Sequence, residues 1–425
     1  MNPSSPPPPS SLTRREALRL ALLGTAGLGW IGCTDPNGSP AIRFNGQDLG
    51  GDAAEWTVLR DDFLIAPGVA YLNNSSIGLP PAVVIEAVAA GYRHQAQDPI
   101  AAKHALQDHI RDHTLPRLGR FFGVAPQDLT LTRNASVSLH LQAAGLHLDP
   151  GDEVVITTQE HPAGRQPWRF REARHGVVVR EVFIPSPLPS EDDIIALFDA
   201  TVGPKTRAIA FCHVTRGGHL YPVARLCGWA RDRGLISLVD GAQAVGQFGI
   251  DLTALGCDAY AASLHKWMLG PCGTGFLFIR AASRPRFDSL FDLQTEEPSY
   301  GVPGTVDFPV HAAIASALTF MEQVNVDAVE RRCRYLSDHV KSLLDGEQGV
   351  RLLSGKREQS APGSTIFEID GVDAVEAVDR LAAINIHIDE HQRDGHNAIR
   401  ISTHIYNTTQ DVDQAVEALL SLRPA

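Results

Sequence analysis

Asp240 and Lys266 are the two residues whose types and spacing ask for chemistry. They lie within residues 239–275, VDGAQAVGQFGIDLTALGCDAYAASLHKWMLGPCGTG. An apolar, strand-like run over 235–239 delivers Asp240 at its C-terminal end. A helical turn carrying Gln243, a second short strand over 258–262 and the sequence Ser263-Leu264-His265-Lys266 follow. A carboxylate at one strand end, an amine on the loop after the next strand and small residues around both predict an enclosed cofactor pocket. Pyridoxal phosphate (PLP) chemistry needs this pair. An amine must form a Schiff base with the aldehyde, and an acid must keep the pyridine nitrogen protonated so that the ring accepts electrons. Lys266 and Asp240 supply the two groups, Ser263 and His265 are spaced to hydrogen-bond the phosphate, and GPCGTG over 270–275 leaves room for a ring. Taken singly, the lysine or the aspartate reads as a solvated charge on an ordinary α/β segment; the ordered set reads as a site.

The stretch DGAQAVG…SLHKW…GPCGTG resembles the lysine region of the aminotransferase class V family. These are fold-type I PLP enzymes that include cysteine desulfurases, selenocysteine lyases and isopenicillin N epimerase-like proteins. The resemblance runs, more weakly, from about residue 71 to the C-terminus. It implies an α/β fold with a mostly parallel, seven-stranded sheet flanked by helices in a large domain, and a smaller α+β C-terminal domain. It implies that Lys266 holds the cofactor and then acts as base at Cα, that Asp240 meets the pyridinium and that Gln243 bonds the ring oxygen. It further implies that His161, in Glu160-His161, stacks on the ring. Arg400, in Arg400-Ile401-Ser402 before Tyr406-Asn407, matches the arginine that clamps the substrate carboxylate. Asn74, in the entry loop YLNNSSIG over 71–78, approaches the substrate. Thr305, after Gly304, reaches the phosphate of a partner subunit's cofactor, which implies a homodimer.

The chain departs from its relatives at Arg216, where they place a small polar side chain near the cofactor's phenolic oxygen. Two readings stand: Arg216 faces inward, towards that oxygen or a second substrate carboxylate, or it turns out to solvent. The stretch HIDEHQRDGHNA over 387–398 has no cysteine, so persulfide chemistry of the desulfurase kind is disfavoured. The expected function is Cα chemistry on an amino-acid substrate, with transamination, epimerisation or β-elimination as outcomes. A C–S cleaving lyase without a persulfide cysteine is one alternative, and an exported, non-catalytic binding protein on the same fold is another.

The elements that must position these residues can be read in outline. After a strand over 128–132, Asn134, Ala135 and Ser136 open a helix whose free amides offer an anion site for the cofactor phosphate. Further strands are expected over 152–157, 177–184, 207–211, 364–369 and 384–388. Helices are expected over 80–95, 100–121, 190–201, 374–382 and 411–420, with a long helical stretch over 308–345. Domain boundaries follow: 1–33 a signal, 34–55 a tether, 56–310 the large domain, 311–425 a linking helix and small domain.

Length and composition agree with this picture. The 425 residues can bury a large core, and 44% hydrophobic with 20% charged residues is ordinary for a soluble enzyme. A net charge of −12 excludes non-specific nucleic-acid binding. Six cysteines are scattered without metal-ligand spacing. Near the start, Arg14-Arg15 precedes an apolar run over 20–31, the pattern of a twin-arginine export signal. That route carries folded proteins, which suits an enzyme loaded with cofactor in the cytoplasm. Cys33 follows Trp30-Ile31-Gly32 in a lipoprotein-like box, in which Trp30 departs from the usual leucine. Lipidation at Cys33 stands beside simple cleavage or an uncleaved anchor. Membrane contact is expected only through this N-terminal segment or its lipid.

Overall fold

A computed structural model describes residues 49–291, 300–302 and 304–424. The export signal, Cys33 and most of the tether lie outside the described residues. Strands β1–β13 are numbered along the chain. The central sheet has seven strands in the order β2 (Leu129–Thr132), β8 (Gly275–Ile279), β7 (Ala259–Ser263), β6 (Ile236–Asp240), β5 (Thr206–Cys212), β3 (Glu153–Thr157), β4 (Val178–Val182). Strands β3 to β7 run parallel; β8 is antiparallel to both of its neighbours. This is the mostly parallel, helix-flanked, seven-stranded sheet that the family resemblance implies. Strands β3, β6, β7 and β8 are buried at every position. A strand covered on both faces has no reason to alternate polar and apolar residues, hence runs such as Ile236-Ser237-Leu238-Val239.

A second, antiparallel sheet has the order β12 (Asp389–His391), β13 (Ala398–Ser402), β10 (Ser364–Ile369), β9 (Val350–Leu352). Its own apolar cluster joins Phe367, Ile399 and Ile401 to Leu336, Val340 and Leu419 on the helices Val326–Leu344 and Thr409–Leu420. Strand β1 (Ala70–Tyr71) pairs in parallel with β11 (Ile386–His387). These two form a separate two-stranded sheet, and the entry loop after β1 reaches the antiparallel sheet through an isolated bridge that joins Asn73 to Ser402 of β13.

Three local expectations are modified, each for a visible reason. The stretch 308–345 is three helices, Phe308–Ala312, Ile314–Val324 and Val326–Leu344. Asn325 separates the last two with φ 70°, and its side chain caps the helix that follows. The stretch 100–121 contains a π-helical turn, Ile110–Thr114. Pro116 lies just beyond and has no N–H to give to the carbonyl four residues back, which favours a widened turn there. The segment around Gln243 is a series of turns rather than helix. It is tied down by Ala244 and Val245 amides donating to the Gly241 carbonyl.

Candidate active site

The site grows from the C-terminal ends of neighbouring parallel strands, where α/β sheets leave a crevice. In the register, Cys212 of β5 lies beside Asp240 of β6, which lies beside Ala261 of β7. Ser263 closes β7, and the chain then turns through His265 and Lys266. Asp240, Ser263, His265 and Lys266 line one cavity of about 140 Å³, together with Gln243, His161, Arg216, Asn134, Ala135 and Ser136. Ten of the thirteen residues singled out from the sequence thus meet at one place. Gly78 lets the entry loop come against this turn: its amide donates to the His265 carbonyl at 2.8 Å, and a Cβ there would sit 1.9 Å from the Lys266 carbonyl oxygen.

Lys266 has no hydrogen-bonded or ion-paired partner among the described residues. Burial pushes its amine down to about 8; Asp240 opposes that shift, while Arg400 and Arg216 add to it. A neutral amine, able to attack an aldehyde or accept a proton, is therefore far easier to reach near neutral pH than for an ordinary lysine, although the charged form still predominates there. Asp240 is buried, and its Oδ1 accepts the Ala242 amide at 2.9 Å. Burial raises its pKa, while that hydrogen bond and Lys266 pull it back. No donor among the described residues is within hydrogen-bonding reach of Oδ2, which leaves an acceptor for a ring N–H. Beneath Asp240, the buried Glu160 accepts the Cys212 amide at 3.0 Å, the Cys212 thiol at 3.1 Å and the Thr157 hydroxyl at 2.6 Å. Burial, opposed chiefly by the Thr157 hydroxyl, raises Glu160 to about 7.

On the phosphate side, the helix Ala135–Gly145 is capped by Asn134, whose Oδ1 accepts the Val137 amide at 3.0 Å. Ser136 is thereby not needed as the cap, and its hydroxyl faces the cavity without a partner among the described residues. Ser263 Oγ accepts the Ala135 amide at 2.9 Å, and His265 Nδ1 is buried and unsatisfied. A helix N-terminus, two hydroxyls and an orphaned ring nitrogen form the donor set that a phosphate takes up. His161 caps the next helix, Pro162–His175, through Nδ1, which accepts the Ala163 amide at 3.1 Å. That bond assigns the ring proton of a neutral imidazole to Nε2. Partial desolvation, then the cations Lys266, Arg393, Arg216 and Arg400, lower its pKa to about 4. Gln243 donates to the Ser75 carbonyl at 2.9 Å and accepts from Trp267 Nε1 at 2.9 Å, which orients it and leaves one amide hydrogen.

The mouth differs from the sequence expectation. Arg400 is 2% exposed, behind the cavity lining, and its guanidinium is already engaged. Nη1 donates to the Arg216 carbonyl at 3.0 Å, and Nη2 to Asn73 Oδ1 at 3.3 Å and to Asp389; Nε has no partner. Arg216 does line the cavity, but its anionic partners belong to the chain itself: Glu390 Oε1 at 2.7 Å and Asp389 Oδ1 at 3.3 Å. Asn74 lies away from the cavity, its Oδ1 accepting from Tyr406 at 2.8 Å; its chain neighbour Asn73 is the one that reaches Arg400. Thr305 is exposed and faces a different depression, shared with Cys272 and Val310.

The residues present therefore fit PLP. An unpaired amine stands for the aldehyde, a buried carboxylate with one free oxygen for the ring nitrogen, and an unfilled set of donors for the phosphate. Known proteins agree. The aminotransferase class-V family matches residues 70–415. Isopenicillin N epimerases of Amycolatopsis lactamdurans and Streptomyces clavuligerus are 31% and 30% identical, over 87% of this chain and 99% and 98% of theirs. A probable cysteine desulfurase of Xylella fastidiosa is 25% identical over 90% of this chain and 99% of its own. In fold, the chain is similar to a solved C-DES variant with glycine covalently linked to its PLP cofactor (TM-score 0.77, 23% identity, 85% of this chain and 98% of that one). The chain belongs to the aminotransferase class-V family and is a PLP-dependent enzyme.

Proposed function

We propose that the enzyme removes and returns the Cα proton of an amino-acid substrate, in the manner of the epimerase-like branch of its family, with Lys266 as the base. The observation that carries this is Lys266 itself: an unpaired amine with a lowered pKa, lining the same cavity as a buried carboxylate that has one free oxygen. PLP bound to Lys266 supplies an electron sink for the pair left when the Cα proton departs. With PLP bound, Asp240 would keep the ring nitrogen charged, the Ala135 helix start with Ser136, Ser263 and His265 would hold the phosphate, and His161 would bound the ring's site. Lys266 Nζ would be the base placed to hold the Cα proton. The likeness to the epimerases, which spans nearly their whole length, and the lack of a cysteine over 387–398 favour proton return over sulfur transfer.

The test is the visible spectrum of the purified protein, followed by a panel of amino acids assayed for racemised product, keto acid and released sulfur species. Absence of the yellow lysine-bound cofactor after incubation with PLP overturns the reading. Keto acid or sulfide as the main product transfers it to the transaminase or the lyase outcome. The reading extends to a homodimer in which Thr305 meets the partner's phosphate; its exposure outside its own cavity supports this. It also extends to twin-arginine export. Among the described residues no helix is long and apolar enough to cross a membrane. Replacing Arg14 and Arg15 by lysine is expected to retain the enzyme, cofactor bound, in the cytoplasm; undiminished export of that variant rules the signal out.

A further inference from the structure

The carboxylate side chain of Asp389 already sits where a substrate carboxylate is needed. Its Oδ2 bonds Arg400 Nη2 and accepts the Ser76 hydroxyl at 3.0 Å, while Oδ1 accepts Arg216 Nη2 at 3.3 Å and its neighbour's amide at 2.9 Å. Two guanidiniums and a hydroxyl on one carboxylate are the contacts by which proteins hold a carboxylate ligand. Asp389 stands directly opposite Arg400 in the β12–β13 register, on a three-residue edge strand, and is half-buried.

We propose that Asp389 sets substrate specificity by occupying the carboxylate clamp: a substrate carboxylate takes its place on Arg400, and Asp389 then keeps Arg216 as its one guanidinium partner. This rests on the reading of Arg400 as the clamp.

Three features of the cluster support the exchange. Arg400 keeps Nε buried and unpaired, so the guanidinium has an unused edge for an incoming oxygen. Arg216 bonds Asp389 through Oδ1, the oxygen that Arg400 does not use, so it can retain Asp389 when Arg400 changes partner. The direct ion pairs at the mouth also leave one guanidinium without a bonded carboxylate. Arg216, Arg400 and the half-buried Arg393 face Asp389 and Glu390, and Arg393 has no hydrogen-bonded or ion-paired acceptor among the described residues. Asp394, next in the chain, interacts electrostatically with His396, Arg393 and Arg165 without a direct ion pair to any of them. A substrate carboxylate entering there meets three guanidiniums of which only Arg216 and Arg400 are directly bonded by carboxylates, and a partly buried cluster favours such added pairing. The consequence is selectivity. A ligand must out-compete an internal carboxylate, so weak single-point anions are rejected and a substrate that also gains amine and side-chain contacts is accepted.

The experiment uses holoenzyme and propionate, a carboxylate with no amine to react. Calorimetry is expected to show Asp389→Asn binding propionate about tenfold more tightly than the parent, a difference of about 1.4 kcal/mol. Propionate is also expected to raise the melting temperature of Asp389→Asn more than that of the parent. The KM for a turned-over amino acid is expected to fall in that variant, while kcat changes less. Asp389→Ser, which removes the carboxylate outright, is expected to follow the same direction, so the outcome does not hang on one variant's folding. Equal or weaker propionate binding in both variants overturns the proposal and makes Asp389 only a support for Arg400. Arg400→Gln separates the underlying reading, because it is expected to lose propionate binding. If it binds propionate like the parent, the clamp lies elsewhere, and both the clamp assignment and the proposal fall together.

Discussion

The floor of the site and its mouth are built in opposite ways. The floor hangs on β6 and β7, strands buried at every position within the central sheet, and the two groups proposed to react, Asp240 and Lys266, sit at the end of one strand and just after the other. Each polar group there has an oriented partner or a free valence pointing into the cavity. The mouth is assembled from a loop after β5, the entry loop and an edge hairpin of the second sheet; Arg216 and Asp389 are 173 positions apart in sequence. Most of its charges are already bonded to one another, with Arg393 the guanidinium that no carboxylate among the described residues bonds directly. A floor with unfilled valences is prepared for a resident group that stays, whereas a mouth with paired charges is prepared for ligands that come and go.

The sharpest way to break this contrast is at the floor. Lys266→Ala is expected to abolish turnover and the lysine-bound absorbance together; a yellow, active Lys266→Ala enzyme removes the foundation of the site. Asp240→Asn is expected to keep the cofactor, since phosphate-side contacts remain, yet to lower kcat by about 10²-fold or more, the scale of losing one oriented electrostatic partner at a reacting centre. Unchanged kcat in that variant moves the pyridinium partner to another group, with Glu160 the next carboxylate beneath.

This contrast also explains what the sequence could reveal. The floor was legible because strand-end positions translate directly into spatial ones: Asp240 after an apolar run and Lys266 after the next strand must emerge at the same edge of a parallel sheet. The anion site was legible for a similar reason, although the cap falls on Asn134 and frees Ser136. The mouth was not legible. Nothing local in Arg216 announces that its partners lie on β12, and the stretch over 387–398 attracts notice in sequence only for its missing cysteine. The signal present there was the Asp389–Arg400 pair, eleven residues apart across a hairpin, but it requires a strand register that the sequence does not supply. Asn73 and Asn74 show the same limit at one-residue scale, because adjacent side chains diverge and only the bridge to Ser402 decides which one reaches Arg400.

At the mouth, Arg400→Gln and Arg216→Gln sharpen the comparison. Arg400→Gln is expected to raise KM for amino-acid substrates by about tenfold or more, with kcat less affected, since it removes a charged hydrogen-bonding partner. Arg216→Gln is expected to raise KM only a few-fold, through Asp389, which then has Arg400 as its remaining guanidinium partner. Kinetics in the reverse order, with Arg216 the larger loss, identify Arg216 as the direct carboxylate contact and Arg400 as its support.

The smallest effect is expected beneath the floor, at Glu160, and it is read as stability rather than rate. Burial raises the pKa of this carboxyl from its ordinary 4.5 to about 7 in the folded protein. Between those values the folded chain holds a proton that the unfolded chain has released, so stability falls as pH rises through this window and the loss is complete above about 7. A glutamine cannot ionise and escapes this loss, although it gives up one of the acceptor contacts to Thr157 or Cys212. The melting temperature of Glu160→Gln is therefore expected to lie below or level with the parent near pH 5, to gain on it up to about pH 7 and to hold that gain beyond. Parallel melting curves for the two proteins across that range mean that Glu160 is already ionised at pH 5, held so by its three donors. The carboxyl under Asp240 then contributes a second negative charge to the floor instead of a neutral one.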